Sequence, residues 1–258
     1  MRFCSLGSGS SGNATVVEAS SGSHTSRVLI DCGFSARELE TRLARAGLSS
    51  EDLDAVFITH EHGDHVGCAV TLARRHGLPL WMSRGTWRAI GEPDVGELLQ
   101  FARDGQPISV GDLQLQPYTV AHDAQEPLQL RVSDGARHLG VLTDVGSITP
   151  HLLANLRSCD ALLLECNHDR EMLEQSRYPA SLKARIAGRY GHLSNDTAAE
   201  ILRACMHDGL RHLVAAHLSE QNNRPELARA ALANACGAAL DDIVVADQAL
   251  GFGWLDLG

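Results

Sequence analysis

The segment that most constrains this chain is residues 57–67, Phe-Ile-Thr-His-Glu-His-Gly-Asp-His-Val-Gly. An apolar strand pattern, Asp54–Thr59, runs straight into His60, His62, Asp64 and His65, and a helical pattern, Val66–His76, follows. His60 and His62 are two positions apart, so on extended backbone both face one side. Asp64 and His65 stand where the helix begins and can turn toward the same space. Imidazole nitrogens and a carboxylate together form a ligand set for zinc, manganese or iron. The bland alternative, a solvated polar loop, does not explain four ligand-type residues crowded at a strand end between glycines.

The remaining pattern places this segment inside an α/β chain. Short strands are expected at Arg2–Leu6, Ala14–Glu18 and Arg27–Asp31, with the loop Gly7–Asn13 between the first two. A helix is expected at Ser35–Ala46, where Ser35 and Glu38 have capping-box spacing and Gly47 ends it. Residues 80–143 read mostly as strands, among them Leu113–Val120, Leu128–Val132 and His138–Thr143. Beyond them, helices are expected at Thr149–Arg157, Ala180–Ala187, Asn195–Asp208 and Pro225–Cys236, with Gly209 as a C-terminal cap. Strands are expected at Ala161–Glu165, His212–Ala216, Ile243–Ala246 and Gly251–Leu255. Strands in the middle with helices toward both ends suggest two sheets flanked by helices.

Composition narrows the class. The chain has 258 residues, 22 Lys+Arg against 32 Asp+Glu, and a net charge of −10, which argues against coating nucleic acid or an anionic membrane through bulk charge. The seven cysteines form no C-x-x-C pair, so neither a disulfide framework nor a zinc ribbon is expected. With no apolar leader and no long apolar run, the expectation is a cytoplasmic protein without a membrane partner.

The 57–67 segment resembles the H-x-H-x-D-H signature of the metallo-β-lactamase superfamily. The resemblance implies a four-layer αββα sandwich with metals at the strand ends. Further pieces follow in order: His122 in Val-Ala-His-Asp-Ala, Asp144 in Leu-Thr-Asp-Val-Gly, and His217 in Ala-Ala-His-Leu-Ser. By resemblance, His60, His62 and His122 hold one divalent ion, zinc or manganese. Asp64, His65 and His217 hold a second, and Asp144 bridges them. A hydroxide shared by two such ions is the nucleophile the resemblance implies. Asp123 and His138 compete with His122 for the third position.

The superfamily is chemically broad, and fold alone does not give function. His122 lacks the Pro-Gly-His context usual in thioester hydrolases and β-lactamases. Only 22 positions separate His122 from Asp144, too few for the exosite arm of RNase Z-like enzymes. The 48 positions from Asp144 to His192, and 25 more to His217, leave no room for the β-CASP domain of RNase J-like nucleases. One domain over residues 1–258 is therefore expected.

Residues 6–14, 165–169, 191–195 and 217–225 resemble the YycJ/WalJ-like group, whose members are described as 5′→3′ DNA exonucleases. Cys68 departs from that pattern, where a glycine often stands. The resemblance implies a dinuclear metal-dependent phosphodiesterase acting on nucleic acid, DNA ahead of RNA. A small cyclic phosphodiester, or a non-catalytic metal-binding scaffold, are the alternatives. In that frame Asp64 and Asp144 fix metals and nucleophile, and His192 protonates the leaving oxygen. Glu165 orients a ligand histidine from behind. Ser8, Ser10, Ser11 and Asn13 are candidate phosphate contacts in a backbone nest, as is His168. Lys183, Arg185 and Arg189 form a basic strip leading to His192, with Tyr178 and Tyr190 as stacking candidates. A solvated helix face accounts for that strip about as well.

Overall fold

The computed structural model describes residues 1–22 and 24–258. Two seven-stranded sheets lie face to face between helices. The first holds β1 (Arg2–Gly7), β2 (Ala14–Ser21), β3 (His24–Ile30), β4 (Ala55–Phe57), β5 (Leu80–Met82) and β6 (Leu99–Phe101). The second holds β7 (Ile108–Val110), β8 (Leu113–Thr119), β9 (Leu128–Ser133), β10 (His138–Leu142), β11 (Ala161–Glu165), β12 (His212–Ala216) and β13 (Ile243–Val245). The last strand, β14 (Phe252–Asp256), returns to pair with β1. The expected four-layer αββα sandwich is the observed architecture.

The layering follows from alternation along the strands. In β3, Val28 and Ile30 face the second sheet, whereas Leu29 faces the helices. In β11, Ala161 and Leu163 point into the space between sheets, and Leu162 and Leu164 point outward. Both faces of these strands are covered, which is why they read as unbroken apolar runs. Each buried Leu, Ile or Val contributes about 1.5–3 kcal/mol, enough for the three clusters to hold the layers together. Helices α1 (Ala36–Arg45), α2 (Gly63–Val66), α3 (Ala69–His76) and α4 (Arg84–Ala89) follow strands of the first sheet. Helices α5 (Pro150–Leu156), α6 (Arg170–Gln175), α7 (Ala180–Ile186), α8 (Asn195–Cys205) and α9 (Pro225–Cys236) belong to the second half.

Several expected boundaries shift for local reasons. The helix expected over Val66–His76 is two helices, α2 and α3. They are split at Gly67, whose φ of +36° lets its backbone pass close to Cys32 and Phe34. Ser35 caps α1 by accepting from the Glu38 N–H. Glu38, however, bonds Arg42 Nε at 2.7 Å rather than completing the capping box. Helix α8 stops at Cys205, so Gly209 is not its cap. Gly209 sits in a turn and donates its N–H to His207 Nδ1. Helices α4 and α6 arise where no helix was expected. Ser83 caps α4 through the Thr86 N–H, and Asp169 caps α6 through the Met172 N–H.

Strands β3, β4, β5 and β6 run parallel, as do β10, β11, β12 and β13. The chain therefore leaves β3, β4, β10, β11 and β12 at Asp31, Ile58, Thr143, Cys166 and His217 respectively. In parallel sheets the carboxyl ends of strands are where ligands bind.

Candidate metal centre

Three backbone segments are knit together beneath the 57–67 loop. Asn13 N–H donates to Asp64 O (2.8 Å), Gly33 N–H to Asn13 O (3.0 Å), and Cys32 N–H to His65 O (2.7 Å). A Cβ on Gly33 would run into the Asp64 carbonyl. Gly33→Ala is therefore expected to destabilise the fold by about 3 kcal/mol and to displace Asp64. Urea unfolding and metal content measured on one preparation check both effects.

On this base the side chains converge in two overlapping groups. His60 Nε2 lies 3.0 Å from His62 Nδ1, and His122 Nε2 lies 3.3 Å from the same atom. Asp64 Oδ2 is 3.5 Å from His65 Nε2 and 3.4 Å from His217 Nε2. Asp144 lies between the groups. Its Oδ2 is 3.0 Å from His65 Nε2, and its Oδ1 is 3.8 Å from His122 Nε2. His138 lies at the start of β10, roughly 15–20 Å of strand from Asp144, and pairs with Asp160 instead. Asp123 flanks the cluster, its Oδ1 3.5 Å from His122 Nε2.

The donor set fits divalent metal ions. His122 Nδ1 donates to the Gly191 carbonyl (3.0 Å), which leaves the Nε2 lone pair facing His62. Burial and the neighbouring His65 push His60 well below the ordinary imidazole range, so it is neutral with a lone pair to offer. Ring nitrogens this close need a proton or a cation between them, and a metal ion held by all three satisfies their lone pairs at once. Asp144 Oδ2 and both ring nitrogens of His217 are buried without a hydrogen-bond partner. Such buried polar atoms are costly unless coordinated.

Two carboxylates act from behind the cluster. The first, Asp31, was not singled out in the sequence. Its Oδ2 accepts from His65 Nδ1 at 2.7 Å, while the N–H and hydroxyl of Thr59 donate to its other oxygen. Burial opposes protonation of His65, but Asp31 and Asp144 outweigh it and lift the group to about 10. Asp31 and His217 both adopt left-handed backbone, φ +61° and +52°, which bulkier side chains rarely tolerate. Asp31→Asn is expected to weaken metal affinity 10–100-fold while leaving kcat near wild type at saturating metal. A metal titration followed by activity separates these two quantities.

The second carboxylate is Glu165, fully buried at the end of β11. Its Oε2 accepts the N–H groups of Val145 and Leu193, and its Oε1 accepts from His192 Nδ1 at 2.7 Å. The histidine it holds most closely is thus His192, with His217 Nδ1 farther away at 3.5 Å. Burial would raise the Glu165 pKa, but His192 outweighs it and keeps the carboxylate ionised. His192 is raised in turn, because Glu165 overcomes its burial. With Nδ1–H directed at Glu165, Nε2 of His192 is left to face a ligand.

Several expected substrate contacts are engaged elsewhere. Ser8 Oγ is buried and accepts the His217 N–H at 2.9 Å. Asn13 Nδ2 donates to Gly9 O at 3.1 Å and lies 3.1 Å from His65 Nε2. Both side chains shape the metal loop rather than face solvent. Only Ser10 and Ser11 of that loop are exposed. His168 is buried, and burial pushes its imidazole down to about 4, so it is a neutral interior group. Lys183 Nζ donates to the Glu174 carbonyl (2.6 Å). Arg185 Nε reaches Asp123 Oδ2 at 2.6 Å, beside the cluster, and Arg189 lies exposed near the Tyr190 ring. Cys68 packs its Sγ 3.4 Å from that of Cys32, filling the place of the expected glycine.

Residues 26–218 match the family described as beta-lactamase superfamily domain. The chain is 34% identical to the exodeoxyribonuclease YycJ of Bacillus anthracis over 89% of its own length and 86% of that protein. Among solved structures, the metallo-β-lactamase fold protein YhfI of Bacillus subtilis superposes with a TM-score of 0.74 at 18% identity, covering 98% of each chain. Human tRNase Z, short form, superposes with a TM-score of 0.67 at 16% identity, covering 100% of each chain. The signature loop, the αββα layers and this similarity along most of the chain agree: the protein belongs to the metallo-β-lactamase superfamily, in its YycJ/WalJ-like group, and is a metal-dependent hydrolase.

Proposed function

We propose that the chain is a dinuclear phosphodiesterase that hydrolyses nucleic acid, a 5′→3′ DNA exonuclease, and that residues 1–258 form one catalytic domain. The observation that carries this reading is Asp144, wedged between two ligand groups with the Glu165–His192 pair at its edge. In this reading His60, His62 and His122 hold one ion, Asp64, His65 and His217 hold the other, and Asp144 serves both. Zinc or manganese bound there supplies Lewis acidity and an activated water. His192, protonated on both nitrogens, keeps Nδ1–H on Glu165 and delivers the Nε2 proton to the departing 3′-oxygen. The relatives that match about 90% of the chain at 34% identity, all named exodeoxyribonucleases, support DNA as the polymer.

The test is hydrolysis of 5′- and 3′-end-labelled single- and double-stranded DNA, and of matched RNA, in Mn²⁺ and in Zn²⁺, beside Asp64→Ala. Mononucleotides released progressively from the 5′ end of DNA, and absent in the variant, are the expected result. Turnover of bis-p-nitrophenyl phosphate with every polynucleotide left intact would replace this reading with a small-phosphodiester hydrolase. Preferred cleavage of RNA would change the polymer.

A further inference from the structure

Beside the ligand loop lies a groove of about 960 Å³, at the top of the range for small-molecule sites. We infer that it holds the phosphodiester backbone of a polynucleotide next to the bond being cut, which makes chain length part of substrate recognition. This rests on the nucleic-acid reading above. The end nearest the cluster is formed by the ligand loop itself. Glu61 stands between His60 and His62 and accepts the N–H of Gln125, three residues beyond His122, at 2.6 Å. The groove then runs along Arg84 and Arg88 of α4 to Phe101 and Arg103.

The three guanidiniums are exposed. Arg84 lies over the Phe101 ring, its Cζ 4.2 Å from the centroid, so it is held in place with N–H edges still available. Arg88 and Arg103 have no ion-pair or side-chain hydrogen-bond partner among the described residues. Each acid of the same walls accepts a backbone N–H, although Oε2 of Glu61 is buried without a partner. Besides Glu61, Glu126 Oε2 accepts the Gly85 N–H at 2.7 Å, and Asp104 Oδ1 takes the Thr119 N–H and lies 2.8 Å from His151 Nε2. Charges of both signs line the groove, but the exposed side chains without a partner, Arg88 and Arg103, are positive, in a chain of net −10. Planar guanidiniums of this kind suit phosphate oxygens.

One chain segment also borders both the groove and the metal cluster. Segment 123–126 contributes Gln125 and Glu126 to it, and contributes Asp123 to a smaller hollow lined by Arg185 and His192. A strand crossing from one to the other would pass Asp123, whose Oδ1 lies 3.9 Å from His62 Nε2 and 3.5 Å from His122 Nε2. A small phosphodiester seated at the metals has nothing to place against Arg88 or Arg103.

The test is the variant Arg84→Gln/Arg88→Gln/Arg103→Gln. For wild type and variant, kcat/KM is measured on a 20-nucleotide single strand and on bis-p-nitrophenyl phosphate. Binding of the fluorescein-labelled strand is followed by anisotropy from 50 to 200 mM salt, with Asp64→Ala in both backgrounds. The ratio of the two kcat/KM values is expected to fall about tenfold. The slope of log affinity against log salt should fall by about 2, near 0.7 for each lost phosphate contact. An unchanged ratio and slope, with DNA still cleaved, overturns the groove and leaves the nuclease reading intact. Strand binding that depends on these arginines, without cleavage by wild type, overturns the nuclease reading and keeps the groove. Should the triple variant melt early, the single reversal Arg103→Glu, on the exposed turn after β6, carries the same comparison.

Discussion

Asp144→Ala is expected to lower kcat/KM by on the order of 10³–10⁴-fold on any phosphodiester, and to strip the protein of metal. The carboxylate is 1% exposed and touches four imidazoles: His65 at 3.0 Å, His217 at 3.1 Å, His192 at 3.3 Å and His122 at 3.8 Å. Burial alone would raise its pKa. His217 and His65 reverse that and hold it well below the usual carboxylate range, so it is an anion throughout the working pH range. Removing it would delete the one group proposed to serve both ligand sets and leave buried imidazoles facing each other. Asp144→Asn keeps the shape and loses the charge, so it should be almost as damaging if charge is what matters. Steady-state kinetics with metal analysis by plasma mass spectrometry checks this. Retention of two ions with activity within tenfold of wild type would show that Asp144 is not shared between them.

His192→Ala should behave differently, because its proposed role is to move a proton rather than to hold an ion. A loss of about 10²–10⁴-fold in kcat is expected on DNA, where an alkoxide leaves. On bis-p-nitrophenyl phosphate, whose nitrophenolate departs without a proton, the loss should be under about tenfold. Metal content should stay at the wild-type level, since the seven proposed ligands remain. Glu165→Gln should reproduce the pattern more weakly, because the ring keeps a hydrogen-bond partner at Nδ1 but loses its anion. Equal losses on both substrates, or loss of metal, would sink the proton-transfer role and make His192 a ligand.

What was legible in the sequence was mostly local. The ligand loop announces itself because four ligand-type residues fall within six positions at a strand end. Strands β11 and β12 and helix α9 occupy the spans expected from apolar runs, Pro225 and the cysteine before Gly237. Both faces of the central strands are buried, so their composition is uniform and easy to read. The misplaced boundaries at Gly67 and Gly209 share one cause. A glycine marks a backbone need, and whether that need is a cap, a split or a close approach depends on what packs against it.

Glu165 was expected behind a ligand histidine, but which histidine it holds, and the presence of Asp31, were not legible, for a physical reason. Asp31 finds His65 across 34 positions, Glu165 finds His192 across 27, and Ser8 finds the His217 backbone across 209. No spacing rule links such pairs; only the packing of one sheet on the other brings them within hydrogen-bonding distance. The same packing buries Asn13 and His168, whose polar side chains suggested surface chemistry when read alone. It also gathers Arg84, Arg88 and Arg103, scattered over 20 positions, onto one groove. The sequence by itself determined the ligand-rich loop and most of the longer strands and helices, because ligand type and hydrophobic alternation are written residue by residue. Tertiary structure alone decided which carboxylate orients which histidine and which polar residues face the substrate, because burial and partner distance belong to the assembled layers.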